Sequence, residues 1–484
     1  MQNLYLIGVF LYWIFITVLV IRIVMDNRQP AKTMAWGMVI YFVPLIGLIL
    51  YFFFGMNTRK ERLISQRSLD LLSKRSMLGF VSQDSLQLPE TYKPVIDLFV
   101  NQNFSLPFQD NQIDIQTDGY QFVASLLADI RQAKRNIHID VYIFEDDALG
   151  RLIADALIDK AHEGVEVRVI YDDVGCWNVK YDFFEHMREE GIEVAPFMPV
   201  RFPQFTSKAN YRNHRKIIVI DGSVGYIGGM NIAQRYVKGI RNGKRRKGEE
   251  GILPWRDTMA RMTGGIVYAL QRAFLVDWYF IDRTLISGNN YYPPVDATAY
   301  RHCLAQVVTS SPVGSYPEMM QGYVRTILDA RRYLYIETPY FLPNEPVLFA
   351  LKTAALAGVD VRIIVPLHND ARIADWAGRS YLREVTEAGV RVFLYESGFM
   401  HSKTMVCDDC LCTVGSTNVD FRSFENNFEA NVFIYDETVA LQLKEIFLAD
   451  QQQSVAFKKI PHLMRPRFMK RFWESLTRLL SPLL

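Results

Sequence analysis

The sequence predicts an α/β protein whose body is a duplicated, two-lobed structure, preceded by a pair of membrane-spanning helices. Three observations carry this. His214, Lys216, Asp221 and Asn231 return at identical intervals as His401, Lys403, Asp408 and Asn418. Ahead of each copy, strand-like and helix-like segments alternate in the same order. Two long apolar runs open the chain. A motif repeated at matched spacing means that each copy supplies half of something.

Residues 4–21 are apolar and uncharged and continue through Arg22 to Met25, while residues 33–54 carry no charge at all. Each run matches the ~20 residues that cross a bilayer as a helix, giving spans of about 4–25 and 33–54. The short polar link between them makes the pair a hairpin. A cleaved signal peptide fits poorly, because there is no basic leader and no small-residue cleavage site before the second run. Gly37, Pro44 and Gly47 are all tolerated in membrane helices. Arg59, Lys60, Arg62, Arg67, Lys74 and Arg75 follow the hairpin, against Arg22, Arg28 and Lys32 in or beside the link. Basic flanks stay in the cytoplasm, so a multi-pass protein with a cytoplasmic body is expected. Residues 56–112, mixed and polar, read as a linker.

In the first half, 122–133 is helix-like and 137–144 alternates as a strand does. A helical pattern from Leu149 to Leu157 closes at Gly164, and a strand covers 165–170. A helix over 181–190, Gly191 and a strand at 192–194 complete the set. The second half repeats it: strand 334–337, helix 347–357, Gly358 and strand 359–365, helix 382–388, then Gly389 and strand 390–392. Strands alternating with helices of this length imply βαβ units on a largely parallel sheet. The lobes are expected at 113–290 and 291–440.

The tail, 441–484, is basic from Phe457 onward, with Phe468, Phe472, Leu476, Leu479 and Leu483 at helical spacing. Such a helix either lies on an anionic membrane surface or packs its apolar face on the body. At 484 residues the chain exceeds one ordinary core, and its formal charge of +2 gives no argument for nucleic acid. Five cysteines do not make a secreted disulfide framework in a chain this long. Cys407, Cys410 and Cys412 have a zinc-like spacing, but they align with Ile220, Ser223 and Gly225 of the first copy, ordinary strand and turn positions. The basic run 244–247 reads first as a solvated loop and second as a contact for lipid headgroups.

Residues two apart on a strand share a face, so each His projects with its Lys. Each Asp, five beyond its Lys and beside a turn, reads as a supporting group within the candidate catalytic set His214, Lys216, Asp221, His401, Lys403 and Asp408. Asn231 and Asn418 add amide donors, and small residues beside them let the backbone approach closely. Two such halves suit a phosphodiester: cations and amides hold the non-bridging oxygens. One neutral imidazole attacks phosphorus and a protonated one delivers a proton to the leaving alcohol. No metal or other cofactor is required.

These paired motifs resemble the phospholipase D superfamily across the whole body. Within it, the apolar hairpin, the run Gly415-Ser416-Thr417-Asn418-Val419-Asp420-Phe421-Arg422-Ser423, Pro254-Trp255-Arg256-Asp257-Thr258 and Thr338-Pro339-Tyr340-Phe341 are similar to bacterial cardiolipin synthases. The resemblance implies a phospholipase D-like fold with the active site between the lobes, in a bacterial plasma-membrane protein. It implies phosphatidyl transfer between two phosphatidylglycerol molecules, giving cardiolipin and glycerol, with His214 as nucleophile and His401 as acid and base. It also implies phosphate contacts from Lys216, Lys403, Asn231, Asn418 and Ser416. A hydrolase of the same type, releasing phosphatidic acid, is the alternative, and nucleic acid is not an expected partner. The family orients each His with a carboxylate. Glu429, eleven residues past Asn418, fits that part. The same count from Asn231 reaches Asn242, so Asp257 is the candidate in the first half, where Gly229 also replaces Ser416.

Overall fold

The computed structural model describes residues 2–25, 30–55, 88–103, 105–200, 210–241, 252–286, 288–295 and 303–483. The basic residues expected to flank the hairpin on its cytoplasmic side, Asn242 and the run 244–247 lie outside them. The chain divides into an N-terminal unit, 1–61 with 200–211, and a body, 62–199 with 212–484.

In the N-terminal unit the helix Gln2–Met25 contains Leu6–Met25, long and apolar enough to cross a membrane. The second apolar run is not one uninterrupted helix. It forms Pro30–Phe42 and then Pro44–Leu50, parted at Val43, whose φ of −132° leaves the helical region. The proline ring crowds the residue before it out of the α conformation and offers no N–H. Ile16 and Ile23 bury against Ile40 and Tyr51, so the two apolar runs pack on each other. Most other large apolar side chains of the unit, among them Phe10, Val18, Leu45 and Ile49, are exposed.

The body is organised by one continuous sheet of 16 strands. Its centre is an antiparallel pair, Pro107–Gln116 against Cys303–Ser310. Outward on one side run Met259–Gly264, Val224–Gly228, Lys216–Ile220, Asn136–Val141, Glu166–Asp172 and Glu193–Phe197. Outward on the other run Asn427–Tyr435, Leu411–Gly415, Thr404–Cys407, Tyr333–Glu337, Asp360–Pro366 and Arg391–Tyr395. Strand for strand the two wings match. The outer three strands of each wing are parallel and the inner ones antiparallel. The duplicated α/β body is therefore a single sheet with a pseudo-twofold axis at its seam.

Local chemistry explains the matched helices. Asp118 and Asp147 cap Gly119–Gln132 and Ala148–His162 by accepting from backbone N–H groups of the first turn. Gly164, Gly191, Gly358 and Gly389 all have φ near +90°, where a side chain would be strained, and each ends a helix before a parallel strand. Cys407 and Cys412 are buried in strands on either side of the turn that carries Cys410.

Two elements fall within the stretch expected to be a linker. The helix Lys93–Asn103 inserts Val95, Ile96 and Phe99 into the core of the second wing, beside Tyr323 and Phe433. The first residues of Pro107–Gln116 build the seam. The tail also enters the body, because Ser454–Ala456 adds an edge strand to Arg391–Tyr395. The helix Phe468–Arg478 lies on Arg372–Glu387.

Candidate active site

The histidines sit where each wing reaches across to the other. Arg212–Asn213 pairs in parallel with Asn427–Phe428, and the His214 N–H donates to the Phe428 carbonyl at 2.9 Å. The second copy does the same in reverse. Trp255–Arg256 pairs with Phe399–Met400, and the His401 N–H donates to the Arg256 carbonyl at 2.7 Å. Each motif is thus held by the residues that immediately precede the opposite wing's carboxylate.

Those carboxylates complete the exchange. Glu429, from the second wing, accepts from His214 Nδ1 at 3.1 Å to each oxygen. Asp257, from the first, accepts from His401 Nδ1 at 2.6 Å. The two acids are structural equivalents, since Gly229 N–H donates to the carbonyl after Asp257, as Ser416 N–H does to the carbonyl after Glu429. With Nδ1–H engaged, each ring keeps Nε2 for chemistry. Gly229 is explained by the same comparison. A Cβ there would collide with the Asp257 carboxylate, whereas Ser416 donates its hydroxyl to Glu429. The shorter acid fills the space that a serine side chain would need. Gly229→Ala should therefore push Asp257 off His401 and lower kcat about 10²-fold in a product assay.

His214, His401, Asn231 and Asn418 line one cavity of about 520 Å³, together with Tyr142, Trp255, Tyr340, Arg212, Arg235, Arg372 and Arg422. Tyr142 meets the His214 ring edge-on at 5.2 Å, and the Trp255 ring lies 4.9 Å from that of His401. Asn231 is fixed by the Ile143 N–H at 3.0 Å and by the Tyr236 hydroxyl. The Asn418 side-chain oxygen is buried with no hydrogen-bond partner. Lys216 and Lys403 lie beneath the histidines, fully buried, each donating to the carbonyl of its own His. Buried ion pairs hold the frame. Arg215 ties the first motif to Asp277, and Arg256 ties the Asp257 segment to Asp450 at 2.7 Å.

Burial sets the electrostatics. It pushes both imidazoles below the ordinary histidine value, and for His401, with the Lys403 charge adding to it, down to about 3. Lys216 falls to about 7 and Lys403 to about 8, desolvation outweighing the nearby acids. Burial alone would raise the two carboxyls. The neighbouring Lys403 and His401 overcome this at Asp257, and His214 and Lys216 overcome it at Glu429, so both acids are held below their usual range. The site thus has ionised acids, neutral imidazoles and lysines poised near neutrality. A phosphodiester anion within ~4–6 Å would favour the imidazolium by about 1–3 pH units.

Asp221 and Asp408, included in the expected catalytic set, stand elsewhere. Both have left-handed backbone, φ 53°. The carboxylate of Asp221 accepts the N–H groups of Lys134, Arg135 and Asn136, and that of Asp408 those of Arg331, Arg332 and Tyr333. They anchor the starts of the strands Asn136–Val141 and Tyr333–Glu337. Ser416, expected at the phosphate, is fully buried and braces Glu429 instead. Tyr142, Arg212, Arg235, Arg372 and Arg422 are among the wall residues that the motif spacing did not single out. Arg212 lies just ahead of the first motif and Arg422 within the run quoted with the second, so proximity in sequence was the available signal.

Comparison with known proteins places these features in a lineage. A family model described as cardiolipin synthase, PLD-like domain, matches residues 126–244 and 323–451, and one described as phospholipase D-nuclease N-terminal matches 14–55. The chain is 37% identical over 479 residues to the major cardiolipin synthase ClsA of Bacillus subtilis, covering 96% of both. It is 38% identical over 477 residues to a cardiolipin synthase of Oceanobacillus iheyensis, covering 96% of this chain and 95% of that one. A crystal structure of phosphatidylserine synthase from Haemophilus influenzae shares the fold, with a TM-score of 0.60 at 16% identity over 82% of this chain and 100% of that one.

Proposed function

The chain belongs to the family of cardiolipin synthases with a phospholipase D-like domain, and on that premise we propose that it is a membrane-bound phosphatidyltransferase making cardiolipin. It moves the phosphatidyl group of one phosphatidylglycerol onto the headgroup hydroxyl of another and releases glycerol. The observation that carries this reading is the pair of imidazoles in one cavity, each presented by a carboxylate from the opposite wing.

His214 Nε2 attacks phosphorus while the bond from phosphorus to the glycerol oxygen breaks, and the fraction of His401 that takes up a proton at Nε2 when the phosphodiester anion binds gives that proton to the leaving oxygen. Glycerol leaves behind a phosphohistidine. The hydroxyl of the second phosphatidylglycerol then passes its proton to His401 as its oxygen attacks phosphorus, and the bond to His214 breaks. Lys216 and Lys403, with Asn231 and Asn418, balance the charge on the non-bridging oxygens. The apolar first helix supports membrane attachment. The packing of Ile16 and Ile23 on Ile40 and Tyr51 supports a two-span hairpin, and the basic residues that follow it in the sequence support a body on the cytoplasmic side.

Purified protein in phosphatidylglycerol vesicles should yield cardiolipin and glycerol in equal amounts. Phosphatidic acid in place of cardiolipin would establish the hydrolase reading instead. The same assay has a predictable alkaline limb. Below their pKa values both lysines are charged and hold the phosphate; as the pH rises through about 7 for Lys216 and about 8 for Lys403 that charge is lost. We expect kcat/KM to fall from there upward. A profile flat to about pH 10, where an ordinary lysine titrates, would contradict these roles.

A further inference from the structure

The helix Phe468–Arg478 is mounted with its polar side inward. Glu474, 1% exposed, pairs with Arg383 at 2.6 Å, and Arg478 pairs with Glu384 at 2.7 Å, bonds Ser380 and covers the Tyr381 ring. Thr477 and Ser481 are buried along the same side. The opposite side shows Phe468, Met469, Phe472, Trp473, Leu476 and Leu479 to the outside, Phe468 79% and Leu479 75% exposed. Rolling the helix to bury this stripe would break both ion pairs and leave Glu474 uncompensated. So large an exposed apolar stripe marks a docking surface.

Its surroundings identify what docks. Arg467 and Arg471 are exposed at and within the helix, and Lys458, Lys459 and Arg465 are exposed in the segment leading to it, while Glu474, the one acid of the segment, is turned inward and paired. A second copy of the chain would set these cations against their own kind across a twofold interface. Apolar side chains rimmed by basic ones, with a tryptophan among them, match the headgroup zone of an anionic bilayer. The supporting helix Arg372–Glu387 places Arg372 and Ile373 in the wall of the catalytic cavity, and Ile373 and Trp376 are themselves exposed.

We propose that Phe468–Arg478 is an interfacial helix that lies in an anionic leaflet and holds the mouth of the catalytic cavity at the lipid surface. This rests on packing and charge, and its test reads position rather than product, so it can fail or succeed apart from the assigned reaction. The full chain, carrying Cys410→Ala and a fluorophore at Phe472→Cys, is reconstituted into phosphatidylcholine vesicles with or without phosphatidylserine and with nitroxide-labelled acyl chains; the other four cysteines are buried. The label should be quenched by the nitroxide, several-fold more with phosphatidylserine present, and shielded from aqueous iodide. Iodide access with no nitroxide quenching would overturn the proposal, as would shielding that appears only with dimerisation. As a functional readout, Phe468→Ser with Leu479→Ser should raise the half-saturating surface fraction of phosphatidylglycerol about tenfold with kcat unchanged. An unchanged value would count equally against the proposal.

Discussion

Replacing His214 with asparagine is expected to lower cardiolipin formation by at least about 10⁴-fold, because it removes the nitrogen that takes the bond to phosphorus, while the remaining imidazole, His401, serves the leaving group. His401→Asn should cost about 10²–10⁴-fold, and for a different reason. The lost proton matters only while the leaving group is a poor one. A lipid phosphodiester ester-linked to a nitrophenol needs no acid to release it, so His401→Asn should regain the first step with it, release a burst of nitrophenol and accumulate the phosphatidyl group on His214. His214→Asn should show neither burst nor label. A covalent phosphate found on His401 in the His214→Asn protein would reverse the assignment.

The second large effect concerns the acids, and here the crossing makes an unusual demand. Glu429→Gln removes the anion that keeps the His214 proton on Nδ1, and the loss should be about 10²–10⁴-fold. Asp257→Asn, although in the first half of the chain, should injure the second half's histidine. Only Asp257→Asn should therefore be relieved by the nitrophenyl substrate. Joining Glu429→Gln to His214→Asn should add almost nothing to His214→Asn alone, since the acid acts through that ring. If the two acid variants respond alike to the leaving group, the crossed arrangement does not govern the chemistry.

The residues legible from the sequence were those fixed by short-range geometry. Strand periodicity put each Lys beside its His, and the glycines at 164, 191, 358 and 389 marked four helix ends correctly. Glu429 came from a count along the chain. That count failed in the first half, where Gly229 and Asp257 are 28 residues apart, fifteen more than the 13 between Ser416 and Glu429; ten of the residues between them, 242–251, lie outside the described structure. Which acid serves which histidine was not legible, because it depends on pairings between segments 215 and 144 residues apart. The aspartates of the motif were misleading for the opposite reason. Their spacing is regular because each anchors the start of the equivalent strand in its wing, and regularity alone cannot tell anchoring from catalysis.

The seam and the tail show the same limit. Duplication announced two lobes, but a continuous sheet requires knowing that Pro107–Gln116 and Cys303–Ser310 pair with each other. In the tail, helical spacing revealed an apolar face. Only the buried partners of Glu474 and Arg478 show that it points away from the body.

The exchange of acids between wings also bears on ancestry. A protein consisting of either half alone would hold a histidine without its acid and an acid without its histidine, and could act only as a pair of identical chains. In such a homodimer any change to the acid or its brace would strike both sites at once. Joining the halves in one reading frame lifts that constraint. It lets one site carry glycine with aspartate and the other serine with glutamate, so that two chemically distinct histidines can be tuned by separate mutations.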